Sequence, residues 1–107
     1  MSKKEREQLY QEAKELFGYK LQLVVLMEEL AELQKEIAKI LRGELDHSDL
    51  IAELADVEIM IEQLKLLYNI KDTDVKQYKD IKLNRLGDMI REKRKANGQG
   101  QEQIQLL

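Results

Sequence analysis

Residues 26–36 read LMEELAELQKE and residues 51–67 read IAELADVEIMIEQLKLL. How these two stretches face each other decides the fold. Leu50, Val57, Met60, Ile61, Leu64 and Leu67 recur at helical spacing. A helix turns about 100° per residue, so they share one face. Glu53 falls in the middle of that face and Asp56 on its edge. Burying an unpaired carboxylate costs of order several kcal/mol even after relaxation, so an acid there needs a partner. The earlier stretch offers no neutraliser: Glu28, Glu29, Glu32 and Glu36 form one acidic band along it. Two acidic bands that face each other attract a divalent cation, or repel.

The chain around these stretches has 107 residues, enough for one small domain with one core. It has no Pro, so long uninterrupted helices are possible. Absence of Cys excludes disulfides and thiolate metal sites and fits a reducing compartment. Charged residues make up 36% and hydrophobic residues 43%, a mix that favours helical bundles. A net charge of −3 gives no large electrostatic footprint for nucleic acid. No apolar run reaches the ~18 residues of a membrane span, and Met1-Ser2-Lys3-Lys4-Glu5 does not open a signal peptide. A soluble cytoplasmic protein is expected.

Ser2-x-x-Glu5 reads as a capping box opening a first helix, with Leu9, Tyr10, Ala13, Leu16 and Phe17 as its apolar stripe. Gly18 marks a bend. A second helix is predicted over residues 19–42, with Leu23, Leu26, Leu30, Leu33, Ile37 and Leu41 facing inward and Gly43 ending it. Asp46 or Ser48 then caps a third helix that ends near Tyr68-Asn69. Asp72-Thr73-Asp74 opens a fourth, carrying Val75, Tyr78, Leu86, Met89 and Ile90. From residue 97 to 107 the Gln- and Gly-rich sequence reads as a frayed tail. The expected architecture is an all-α antiparallel four-helix bundle over residues 1–96.

Glu29 and Glu32 are three apart, as are Glu53 and Asp56, so each pair lies on one helical face. Antiparallel packing across Gly43 puts both pairs roughly ten residues from the turn, at matching depth. Carboxylates without His or Cys suit a hard cation, Mg²⁺ or Mn²⁺. Mg²⁺ keeps open positions for waters and phosphates, which points to phosphoryl chemistry. Glu36 also reads as an acid of a solvated face, paired with Lys35 or Lys39, and Arg85 is an alternative partner for a buried Glu53. Lys82, between Tyr78 and Leu86, reads either as a snorkelling lysine or, with Arg85, as a phosphate contact. His47, in Glu44-x-x-His47, sits in the turn and reads as structural or solvent-exposed.

Glu28-Glu29-Leu30-Ala31-Glu32, followed after twenty residues by Glu53-Leu54-Ala55-Asp56, resembles the E-E-x-x-E … E-x-x-D signature of the MazG-like, all-α nucleoside triphosphate pyrophosphohydrolases. Val25-Leu26-Met27 before the first motif and Val57-Glu58-Ile59-Met60 after the second match its apolar context. The likeness spans about residues 16–90. It implies cleavage of a nucleoside triphosphate, ribo- or deoxyribo-, between its α and β phosphates to a monophosphate and pyrophosphate. It implies Glu29, Glu32, Glu53 and Asp56 as Mg²⁺ ligands, Glu28 as a nearby acid orienting water, and Lys82 and Arg85 as stabilisers of phosphate charge. It also implies self-association as a dimer or tetramer, and Ile51, Ile59 and Leu66, away from the Glu53 stripe, offer apolar surface for it. Gln22 is a candidate donor to a base, or a surface glutamine.

Two other readings compete. One is a non-catalytic helical interaction module whose acids form interhelical salt bridges. The other is a nucleic-acid-binding bundle using residues 76–95, where Asp80, Asp88 and Glu92 interrupt the basic track.

Overall fold

The computed structural model describes residues 1–98. Among them are three α-helices and no strand: α1 (Lys3–Leu41), α2 (Ser48–Leu67) and α3 (Asp72–Ala96). The chain is all-α. It divides into two compact units, Met1–Ile70 with α1 and α2, and Lys71–Leu107 with α3. The tail expected from residue 97 falls, from residue 99, outside the described residues.

Local chemistry sets most of the boundaries. Ser2 Oγ accepts the Glu5 N–H at 3.1 Å, and Glu5 Oε1 accepts the Ser2 N–H at 3.4 Å, closing the capping box. Gly18 interrupts α1 with φ 79° and ψ 170°, a conformation essentially confined to glycine. The helices expected over residues 2–17 and 19–42 are therefore two arms of one bent element, which gives three elements where four were expected. Gly43, at φ 91°, ends α1. Its N–H donates to Ile40 at 2.9 Å and the Glu44 N–H to Lys39 at 3.1 Å, which satisfies the last carbonyls. Asn69, at φ 53°, ends α2 in the same way, with the Ile70 N–H donating to Lys65 at 2.9 Å.

The cap of α2 differs from expectation. His47 holds the cap position without a side-chain hydrogen bond. Asp46 Oδ1 accepts the N–H of Ser48 at 3.0 Å, forming a turn before the helix rather than a cap on it. At α3, Asp74 Oδ2 accepts the Lys71 N–H at 3.3 Å.

In the first unit, the arm of α1 after Gly18 runs antiparallel to α2. Gln22 and Leu26 line a cleft with Met60, Gln63, Leu64 and Leu67, while Lys39, near the other end, meets Asp49 at 3.7 Å. The arm before Gly18 reaches α2 through Arg6 and Tyr10, both bonded to Glu62. Tyr10, Leu26, Val57, Met60 and Leu67 are buried, but Leu30, Ile37 and Leu41, expected to face inward, are exposed, as is Ile61. The physical reason is width. The apolar arc of residues 19–41 is broader than one partner helix covers. Leu16, Met27 and Ile51 are left 77%, 71% and 66% exposed.

Candidate metal centre

The antiparallel register brings Glu29 of α1 to Glu53 and Asp56 of α2. One carboxylate oxygen from each lies within 4.8 Å of the others. Glu53 and Asp56 are three apart and so are neighbours on one helix face. Glu29 and Glu53 are half-buried and Asp56 is exposed. Oε2 of Glu29 and Oε2 of Glu53 are both shielded from solvent and have no hydrogen-bond partner.

Such a trio is electrostatically unsatisfied. The Glu53 carboxyl is pushed up to about 7, first because Glu29 can share a proton with it, then through burial and the negative charges of Glu29, Asp56 and Glu32. A divalent cation answers both defects at once: it offers a partner to the orphaned oxygens and charge to the acids. The donor set, oxygen only, suits Mg²⁺ or Mn²⁺ rather than a softer ion.

The remaining candidates take different places. Glu32 is exposed and lies outside the group of three oxygens, although its charge reaches Glu53. Glu28 is exposed and also outside the group. Glu36 is no solvated acid: it is only 8% exposed, and its Oε1 accepts from Lys39 Nζ at 2.9 Å. That bond raises the Lys39 ammonium above its ordinary value. Lys82 and Arg85 are exposed on α3, within the second unit. His47 is exposed. Gln22, one of whose two readings was a surface glutamine, is only 5% exposed, and neither amide atom has a hydrogen-bond partner.

Two features were not anticipated. Gln63 lines the cleft beside Gln22; nothing in its polar type sets it apart from a surface residue. Tyr10 Oη donates to Glu62 Oε2 at 2.5 Å, and Arg6 Nε donates to the same oxygen at 3.2 Å. Tyr10 falls in an apolar stripe of the sequence, and its partner lies 52 residues away, beyond any local pattern. Compared with known proteins, the chain matches no family model, no curated sequence and no solved structure.

Proposed function

We propose that this chain is a Mg²⁺-dependent nucleoside triphosphate pyrophosphohydrolase of the MazG-like kind. The observation that carries the reading is the convergence of Glu29, Glu53 and Asp56, with two orphaned oxygens, at motif positions of the resemblance. Those three would hold the ion, with Glu32 as the fourth carboxylate of the motif. Mg²⁺, when bound, supplies neutralisation of the triphosphate and a more acidic water.

The chain's own part is to position and to take protons. Rigid helices fix the carboxylates before substrate arrives, so no ordering cost falls on the reaction. Water attacks a phosphorus of the α,β-phosphoanhydride, the bridging P–O bond breaks, and nucleoside monophosphate and pyrophosphate leave. The water's proton passes to a carboxylate free of the ion, and Glu28, exposed next to Glu29, orients that water. From the resemblance alone, Lys82 and Arg85 stabilise phosphate charge. The test is metal-dependent pyrophosphate release, lost in Glu53→Gln.

A second copy of the chain is the proposed partner for the uncovered apolar residues Met27, Leu30, Ile51 and Ile59. Light scattering coupled to gel filtration should give a dimer or tetramer mass. The same exposed residues also favour the second reading, a helical interaction module without catalysis. No Mg²⁺ binding and no turnover of any triphosphate, with a fold that Glu53→Gln stabilises, would select it.

A further inference from the structure

The three acids divide the pairing of α1 with α2 into two unlike halves. Away from the turn, the helices meet through buried apolar side chains: Leu26 precedes Glu29 on α1, and Val57, Met60 and Leu67 follow Asp56 on α2. On the turn side, across residues 30–52, the one buried residue is a charged one, Glu36. Leu33 and Leu50 are only half-buried there, and Leu41 and Ile51 are exposed.

An ion pair takes the place of a core at this end. Lys39 Nζ donates to Glu36 Oε1 at 2.9 Å on its own helix and lies 3.7 Å from Asp49 Oδ2 of α2. Glu36 without its ammonium would be a charge stranded out of water, so burial keeps Lys39 on the seam where Asp49 meets it. Asp49 stands four residues before Glu53. That is about one turn, so the two share a helix face roughly 6 Å apart along the axis. Any slide of Asp49 carries Glu53 with it. Residues 42–47 connect the helix ends but lie outside both helices, so they tether α2 without fixing its register. The like charges of Glu29, Glu53 and Asp56 meanwhile push the helices apart.

We infer that Lys39, anchored by Glu36, is a positioning residue of the metal centre: its contact with Asp49 holds α2 in the register that brings Glu53 and Asp56 to Glu29. This rests on the metal centre proposed above. Mg²⁺ tolerates little error, since it demands near-octahedral oxygens at about 2.1 Å. A slide of one turn, about 5.4 Å, exceeds the 4.8 Å that encloses the three oxygens. Lys39 acts through Asp49 and not on the ion.

Mn²⁺ affinity of the full chain, read by electron paramagnetic resonance, tests this without turnover. Glu36→Gln/Lys39→Met removes the buried pair together. It strands no charge and keeps the net charge, so the fold should survive, which a thermal melt checks. Its Mn²⁺ affinity should fall about 10- to 100-fold, the usual loss when a group that orients ligands is removed. Lys39→Arg, which still bridges two carboxylates, should stay near wild type. Asp49→Asn, at an exposed residue, should weaken binding more than Glu44→Gln, which removes the same charge from the connection. A second readout needs no metal. The chain has no Cys, so nitroxides attached through Lys35→Cys and Glu58→Cys, both at exposed positions, report the spacing of α1 and α2. Their distance should shift or broaden in the double variant and not in Lys39→Arg.

An unchanged affinity in the folded double variant overturns the role of Lys39 and leaves the metal centre standing. A lower affinity with an unmoved distance does the same, because charge alone then explains it. If the double variant does not fold, Asp49→Asn decides: an affinity equal to that of Glu44→Gln overturns the role. A wild type that binds no Mn²⁺ overturns the metal centre, and this inference with it.

Discussion

Tyr10 donates its phenolic proton to Glu62 Oε2 at 2.5 Å, from the arm of α1 before Gly18 to the C-terminal half of α2. Arg6 donates to the same oxygen at 3.2 Å. The bond ties a terminal arm, most of whose large apolar side chains are exposed, to the only other helix of its unit. Tyr10 is itself buried, so the phenol cannot recover a bond to water without opening the arm. Tyr10→Phe should therefore cost about 1.5 kcal/mol in urea unfolding, the lower range for a hydrogen bond to a charged group. A loss no larger than that of a surface substitution would mean that the arm is held by other contacts. Replacing Arg6, whose pairing is half-exposed, should cost far less.

The same bond has a pH signature. Burial and the bond to Glu62 push the Tyr10 phenol up to about 12, from an ordinary value of 10.0. An acid whose folded value is raised contributes stability that is full below the unfolded value and lost as pH rises through the folded one. Wild type should lose stability between pH 10 and 12 by more than Tyr10→Phe does. Parallel alkaline unfolding curves for the two proteins would contradict this.

Glu53 titrates in the opposite part of the scale. Its folded value is about 7, against an ordinary value of 4.5. In EDTA its contribution to stability is full below pH 4.5 and lost as pH rises through about 7. Glu53→Gln, which mimics the protonated acid, should match wild type at low pH and exceed it in stability at pH 8. Chemical denaturation of both proteins in EDTA at the two pH values measures the gap. A gap that stays the same at both would show that the acids do not crowd one another. Mg²⁺ should reverse the order at pH 8 by stabilising wild type and not the variant.

Gly18 offers a purely conformational test. A Cβ added there meets nothing within 4 Å, so sterics against neighbours play no part. At φ 79° and ψ 170° the backbone itself resists a side chain. Gly18→Ala should cost about 1–3 kcal/mol, read from thermal or urea unfolding. Unchanged stability would mean that the two arms can merge into a straight helix at no loss, and that the bend is dispensable.

Much of this organisation is legible in the sequence, and the features that escape it share a cause. Ser2, Gly18, Gly43 and Asn69 act through their own backbone or that of residues within a turn, so local pattern finds them. Glu29, Glu53 and Asp56 are found because equal distance from one turn places them at one depth. What escapes depends on partners far along the chain. Glu36 pairs with Lys39 as their spacing suggests, yet it is only 8% exposed, a burial that the local acidic stripe does not announce. Gln22 looks like a surface glutamine until Met60 and Leu67 close over it. Leu30, Ile37 and Leu41 have the right period for a core, but periodicity does not say how wide a stripe the partner helix covers.

The most direct test of the central claim is pyrophosphate release from a panel of ribo- and deoxyribonucleoside triphosphates, with Mg²⁺, Mn²⁺ or EDTA, for wild type and Glu53→Gln. Release from at least one triphosphate that requires the metal and falls by at least about 100-fold in Glu53→Gln is the expected result, since an electrostatic group at the reacting centre carries that much or more. Release that persists in EDTA, or in Glu53→Gln at the wild-type rate, would contradict the assignment of Glu29, Glu53 and Asp56 as the metal centre of a pyrophosphohydrolase.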